Sequence, residues 1–200
     1  MSNYQSTKVI ELGSCAFRQW GADHSHCHFL HGYQLKAKFK FGGSELDNKN
    51  WLVDFGGLKD LKAVLQDMFD HRLMIAENDP CLDLFKELEK RDACVLRIMP
   101  KGVGIERAAE LCFNIASDMI AEKYGDRCWV DEVEVFEHEN NSAVYTKTDP
   151  TQKEDETEDE TEEDEGFIDW YKLYETMRTP QSPTVRPPRW VDKHGPAYLD

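Results

Sequence analysis

The sequence lacks the features of an exported or membrane-bound chain. Met1 is not followed by a basic, apolar, small-residue leader, and no run of about 18 apolar residues occurs. Both absences point to a cytoplasmic protein. The six cysteines, Cys15, Cys27, Cys81, Cys94, Cys112 and Cys128, stand at wide and irregular intervals. Without an export signal, that spacing argues against a disulfide framework and makes most of them small buried hydrophobes. Positive charge is scarce too, with 24 Lys and Arg against 39 Asp and Glu and a net charge of −15, which disfavours direct nucleic-acid binding. The imbalance is local: residues 154–165 hold ten acids and no base, and the rest of the chain carries only −5.

What is present suffices for one core, since 40% of the 200 residues are hydrophobic. Residues 8–18 read as a strand. Tyr33, Leu35, Ala37, Phe39 and Phe41 alternate with Gln34 and three lysines, the pattern of a strand with one buried face. Gly42 and Gly43 end it, and 51–54 is expected to resume it after a turn. Leu58, Leu61, Leu65, Met68 and Phe69 recur at helical spacing over 55–69. The stretch 72–92 reads as charged and irregular, and 94–99 as a short apolar strand stopped by Pro100. A second helix is predicted over 105–123, then a strand around 133–137, a tight turn at Asn140-Asn141-Ser142 and a last strand over 143–148.

The order predicts an α+β fold: a four-stranded antiparallel sheet with two helices on one face. This gives a domain over 1–148. An acidic linker over 149–166 cannot bury enough apolar surface to offset ordering entropy. An amphipathic helix and Pro-rich tail over 167–200 are expected to fold back on the domain or a neighbouring subunit, or to hold a protein partner.

Between residues 24 and 33 the chain packs four of its seven histidines, His24, His26, His28 and His31, around Cys27. Four imidazoles and a thiol can bind a borderline metal or set a thiolate beside proton-transfer groups.

Cys27-x-x-x-His31-Gly32 entering a strand, Asp54-Phe55-Gly56-Gly57-Leu58-Lys59 opening a helix, and Asp70-His71 closing it resemble, in that order, the 6-pyruvoyltetrahydropterin synthase and 6-carboxytetrahydropterin synthase family. Glu106 sits where that family opens its second helix. Val133-Glu134-Val135-Phe136-Glu137 resembles its penultimate strand and Asn141-Ser142-Ala143-Val144-Tyr145 its last. Each string is weak alone, and five in order on the right element types are jointly strong.

The resemblance implies a T-fold whose subunits join sheets edge to edge into a barrel, hence a homo-oligomer, a hexamer, with sites at the interfaces and edge strands covered. It implies a lyase acting on 7,8-dihydroneopterin triphosphate, a pterin, in the 7-deazaguanine (queuosine) route. The Cys-x-x-x-His-Gly spacing favours the carboxy over the pyruvoyl branch. Cys27 matches the catalytic base, Asp70 and His71 the proton-transfer pair acting across a subunit interface, and Glu137 the carboxylate that anchors the pterin, with Glu106 a second substrate-binding candidate.

The family's zinc site is the departure. Of its three histidine ligands only His31 has a counterpart, because Phe17 and Tyr33 occupy the other two positions. Either Zn2+ is held by a moved set drawn from Cys15, His24, His26, His28 and His31, or zinc is lost. Loss would leave a catalytically silent pterin-binding or scaffold protein.

Overall fold

The computed structural model describes residues 4–146. The acidic linker and the C-terminal helix and tail expected from the sequence lie outside them.

The two alternating segments form the centre of the sheet. β1 (Tyr4–Phe17) and β2 (His31–Gly43) pair antiparallel, burying Ile10, Leu12, Cys15 and Phe17 of one against Leu35, Ala37, Phe39 and Phe41 of the other. The helix α1 (Lys59–Phe69) lays Leu61, Leu65, Met68 and Phe69 on this face. β3 (Arg72–Ala76), α2 (Leu82–Lys90) and β4 (Leu96–Met99) follow, then the long helix α3 (Ile105–Tyr124), whose Ala108, Leu111, Cys112, Ile115 and Ile120 join the same core. β5 (Cys128–His138) pairs antiparallel with β2, and β6 (Asn141–Thr146) with β5.

The α+β class stands, and the four antiparallel strands with two helices on one face are all there. The sheet is larger than expected, with six strands in the order β4-β3-β1-β2-β5-β6, β3 running parallel to both β1 and β4. β4 falls where the short strand over 94–99 is expected, whereas β3 and α2 come from the stretch that reads as irregular. Leu73, Met74, Ile75 and Ala76 are all buried, because β3 is covered on both faces and so has no alternation to read. Its alternate residues divide the structure. Met74 joins the main core, whereas Leu73 and Ile75 meet Phe85 of α2 and Leu96 in a second cluster on the opposite face. Helices therefore cover both faces at this edge.

Residues 51–54 do not resume a strand. The Asp47 carboxylate accepts from the amides of Lys49 (2.8 Å) and Trp51 (2.9 Å), and Asn50 adopts φ 61°, so the chain turns instead. Asp54 then caps a single 3-10 turn (Phe55–Leu58) by accepting from Gly56 N at 2.9 Å, and the α-helix proper starts at Lys59. Among the described residues no helix is long and apolar enough to cross a membrane.

A buried charge network locks the added strands to α1. Asp67 meets Arg72 Nη2 at 2.9 Å and Arg97 Nη2 at 3.3 Å, and its own carbonyl accepts from both guanidinium groups. The Asp67 and Arg97 side chains are 2% and 0% exposed. Asp67→Ala is expected to cost about 3–5 kcal/mol, because it leaves buried guanidinium charge without its carboxylate. Urea unfolding of the variant, with unchanged m-value, checks this.

Candidate active site

Register decides what gathers at the open end of the sheet. Phe17, the last residue of β1, lies opposite His31, the first of β2, and Cys15 lies opposite Tyr33. His31, Tyr33 and Leu35 share the inward face, so Phe17, His31 and Tyr33 come together. Ring centroids are 4.8 Å apart for Phe17 and His31, 5.5 Å for His31 and Tyr33, and 6.1 Å for Phe17 and Tyr33, with His138 6.4 Å from Tyr33.

In front of this cluster opens a cleft of about 450 Å³, lined by Cys27 and His31, by Glu106 at the start of α3, and by Glu137 near the end of β5. Four of the residues singled out in the sequence thus meet in one place, brought from three separate parts of the chain. Glu137 is fixed there by Asn141 Nδ2, which donates to Oε1 at 2.8 Å. Gln19, Asn140, Asn141 and Ser142 also line the cleft. In the sequence the last three read as a tight turn, with Asn141 and Ser142 also opening the string that resembles the family's last strand, and none of them as a site residue. Their adjacency to Glu137 across a hairpin was the available signal.

Cys27 sits in a short 3-10 turn (His26–His28) capped by Ser25, whose hydroxyl accepts from Cys27 N at 3.2 Å. That turn keeps His26 and His28 from lining up on one side of the loop. At three residues per turn, positions i and i+2 point to different sides. His24 and His26 are exposed, and His28 Nδ1 lies 2.6 Å from the Trp20 carbonyl. Cys15 is buried beneath Tyr33, where burial pushes its thiol up to about 12. Burial, reinforced by the charges of Glu137 and Cys27, also raises Tyr33, so its phenol stays protonated.

These residues do not fit a zinc site. A hydrocarbon ring and a phenol flank the single imidazole, and among the described residues no three His, Cys, Asp or Glu converge as metal ligands.

Asp70 and His71 lie elsewhere, outside the cleft of their own chain. Asp70 ends α1, and its Oδ1 accepts from Ser14 N at 3.1 Å and lies 2.9 Å from His71 Nδ1. This proximity requires Gly13, at φ 106°, since a Cβ there would collide with the Asp70 carboxylate. With Nδ1 protonated, His71 donates to Asp70 and presents Nε2 to the surroundings from a side chain 82% exposed.

The open end of the sheet thus gathers a cysteine, a histidine and two glutamates around one cleft. The chain belongs to the 6-pyruvoyl tetrahydropterin synthase family, whose profile matches residues 10–148. Members of this family are lyases acting on pterins.

Two curated relatives are similar over shorter stretches. A probable 6-carboxy-5,6,7,8-tetrahydropterin synthase of Halobacterium salinarum is 33% identical over 86 residues, 40% of this chain and 54% of that protein. The 6-carboxy-5,6,7,8-tetrahydropterin synthase of Rickettsia conorii is 33% identical over 54 residues, 26% of this chain and 39% of that one. The chain therefore spans about half or less of the curated relatives it matches. Among solved structures, an uncharacterized protein of Wolinella succinogenes aligns with TM-score 0.63 at 17% identity, covering 74% of this chain and 100% of the other. The 6-pyruvoyl tetrahydropterin synthase of Caenorhabditis elegans aligns with TM-score 0.52 at 19% identity, over 74% and 98%. At these identities the structural matches speak for the fold.

Proposed function

We propose that this chain is a 6-carboxytetrahydropterin synthase-like lyase acting on 7,8-dihydroneopterin triphosphate in 7-deazaguanine biosynthesis, with Cys27 as its base. The observation that carries the reading is the convergence of Cys27, His31, Glu106 and Glu137 on one cleft. The Glu137 carboxylate can accept the pterin's ring N–H and exocyclic amine in parallel, held square to them by Asn141. The Cys27 thiolate then takes a proton from a side-chain carbon, the electron pair entering the conjugated ring. In a homo-oligomer, here a cytoplasmic hexamer, the exposed Asp70–His71 pair would face the cleft of a neighbouring copy and return a proton as the side chain rearranges and its leaving group departs. Because Phe17 and Tyr33 do not fit a metal, no step is assigned to zinc. A 6-pyruvoyl product is the alternative within the same chemistry.

One observation favours a second reading. The aromatic cluster at the family's ligand positions suits a protein that binds a pterin without converting it, with 167–200 holding a protein partner.

Incubation of purified protein with 7,8-dihydroneopterin triphosphate, products resolved by mass spectrometry, separates the two. Turnover supports the lyase; pterin binding without turnover supports the silent binder; absence of both rejects each. Glu137→Gln is expected to weaken pterin binding by about 10- to 100-fold in either case, since it removes a charge-assisted hydrogen-bonded pair. Calorimetric titration measures it.

A further inference from the structure

The loop that carries Cys27 is tied to the added β3–α2 segment by contacts that the lyase reading does not use. Arg18, the residue after Phe17, donates to Asp79 through Nε and Nη2, both at 2.7 Å. The Arg18 side chain is 12% exposed and that of Asp79 0%, and the guanidinium lies 5.8 Å from the Phe85 ring centroid. Asp79 is itself held from both sides. Its amide donates to the Ala76 carbonyl at the end of β3, and its Oδ1 accepts from Cys81 N at 2.7 Å.

The ties continue directly into the reactive loop. Gln19 N donates to the Cys27 carbonyl at 2.8 Å, and the Trp20 carbonyl meets His28 Nδ1 at 2.6 Å. The Trp20 indole N–H, in turn, donates to Asn78 Oδ1 at 3.2 Å. Cys27 itself and the following His28 are therefore bonded to residues 19 and 20, which are pinned through Arg18 to Asp79 and through the Trp20 side chain to Asn78.

We infer that Arg18 and Asp79 are positioning residues for Cys27: their buried two-pronged ion pair fixes Gln19, and through it the Cys27 backbone, against the sheet. This rests on Cys27 being the reacting group. A loop with so few buried apolar contacts of its own needs such an anchor, because Cys27 is only half-buried and its neighbours His26, Phe29 and Leu30 are exposed. The anchoring segment is the part of the chain outside the four-stranded core, which gives that addition a task.

The test uses the full chain and two readouts that a purely structural ion pair would not move together. Asp79→Asn keeps the side-chain shape but removes the charge. It is expected to lower kcat by about 100-fold with KM changed less than about threefold, the scale of a misplaced reacting group. Meanwhile alkylation of Cys27 by iodoacetamide at fixed pH is expected to accelerate at least about threefold as the loop loosens, read by peptide mass spectrometry. Asn78→Ala, which removes only the Trp20 bond, is expected to move both readouts in the same directions by less. A folded Asp79→Asn with unchanged kcat and unchanged alkylation overturns the proposal, even if its melting temperature falls. If Asp79→Asn does not fold, Arg18→Lys decides by the same two readouts, keeping the charge while losing the fork. The alkylation measurement needs no turnover, so it judges the clamp even if Cys27→Ala stays active and the lyase reading fails.

Discussion

Replacing Phe17 and Tyr33 together by histidine is expected to create a three-imidazole zinc site around His31. Phe17 lies directly opposite His31 across the β1–β2 ladder, and Tyr33 follows His31 on the same face. The three rings already lie within 4.8–6.1 Å of one another, centroid to centroid. Three imidazoles so placed can direct nitrogens at one ion at about 2.0–2.1 Å, with the cleft supplying the open fourth position. His31 is also oriented for the task, since its Nδ1 lies 2.7 Å from the Phe29 carbonyl and leaves Nε2 as the ligand atom. Metal analysis after dialysis is expected to find about one zinc per chain in the double variant and far less in the parent or either single variant. Zinc at full occupancy in the parent would instead mean that a moved ligand set holds it. A double variant without zinc would mean that the ring cluster cannot relax into ligand geometry.

Cys27→Ala is expected to reduce turnover by about 10³-fold, within the range for removing a positioned acid or base. Pterin affinity is expected to stay within about threefold of the parent, because a carboxylate elsewhere in the cleft makes the charge-assisted contacts to the ring. Stability is expected to change little, as the thiol is only half-buried and its loop is held by backbone bonds. Measuring kcat, KM and melting temperature on the same preparation separates these effects. Retained turnover would move the base elsewhere in the cleft and remove the main support for the lyase reading.

Much of the site was legible only through the resemblance, because five individually weak strings fall in order on the right element types. Cys27 and His31 precede an alternating strand, and Glu137 closes another beside a turn. Asp70 and His71 were equally legible as a pair. Their distance from the cleft was not, because it depends on α1 packing across β1 and on the bulge at Gly13. Likewise β3 hid in the sequence because it is buried on both faces, and the loop histidines hid their divergence because a 3-10 turn leaves no periodic trace over three residues.

The sequence by itself determined the α+β class and the central strands and helices, since hydrophobic periodicity and local caps act within a few residues, and its resemblance to the family named the reactive candidates. That resemblance set Phe17 and Tyr33 at two of the three zinc-ligand positions, with His31 at the third. Only the tertiary structure decided that Cys27, Glu106 and Glu137 share one cleft, that the Phe17 and Tyr33 rings each meet the His31 ring edge-on, and that Arg18 finds Asp79. Those outcomes depend on contacts between residues tens of positions apart, and the packing of whole elements sets them.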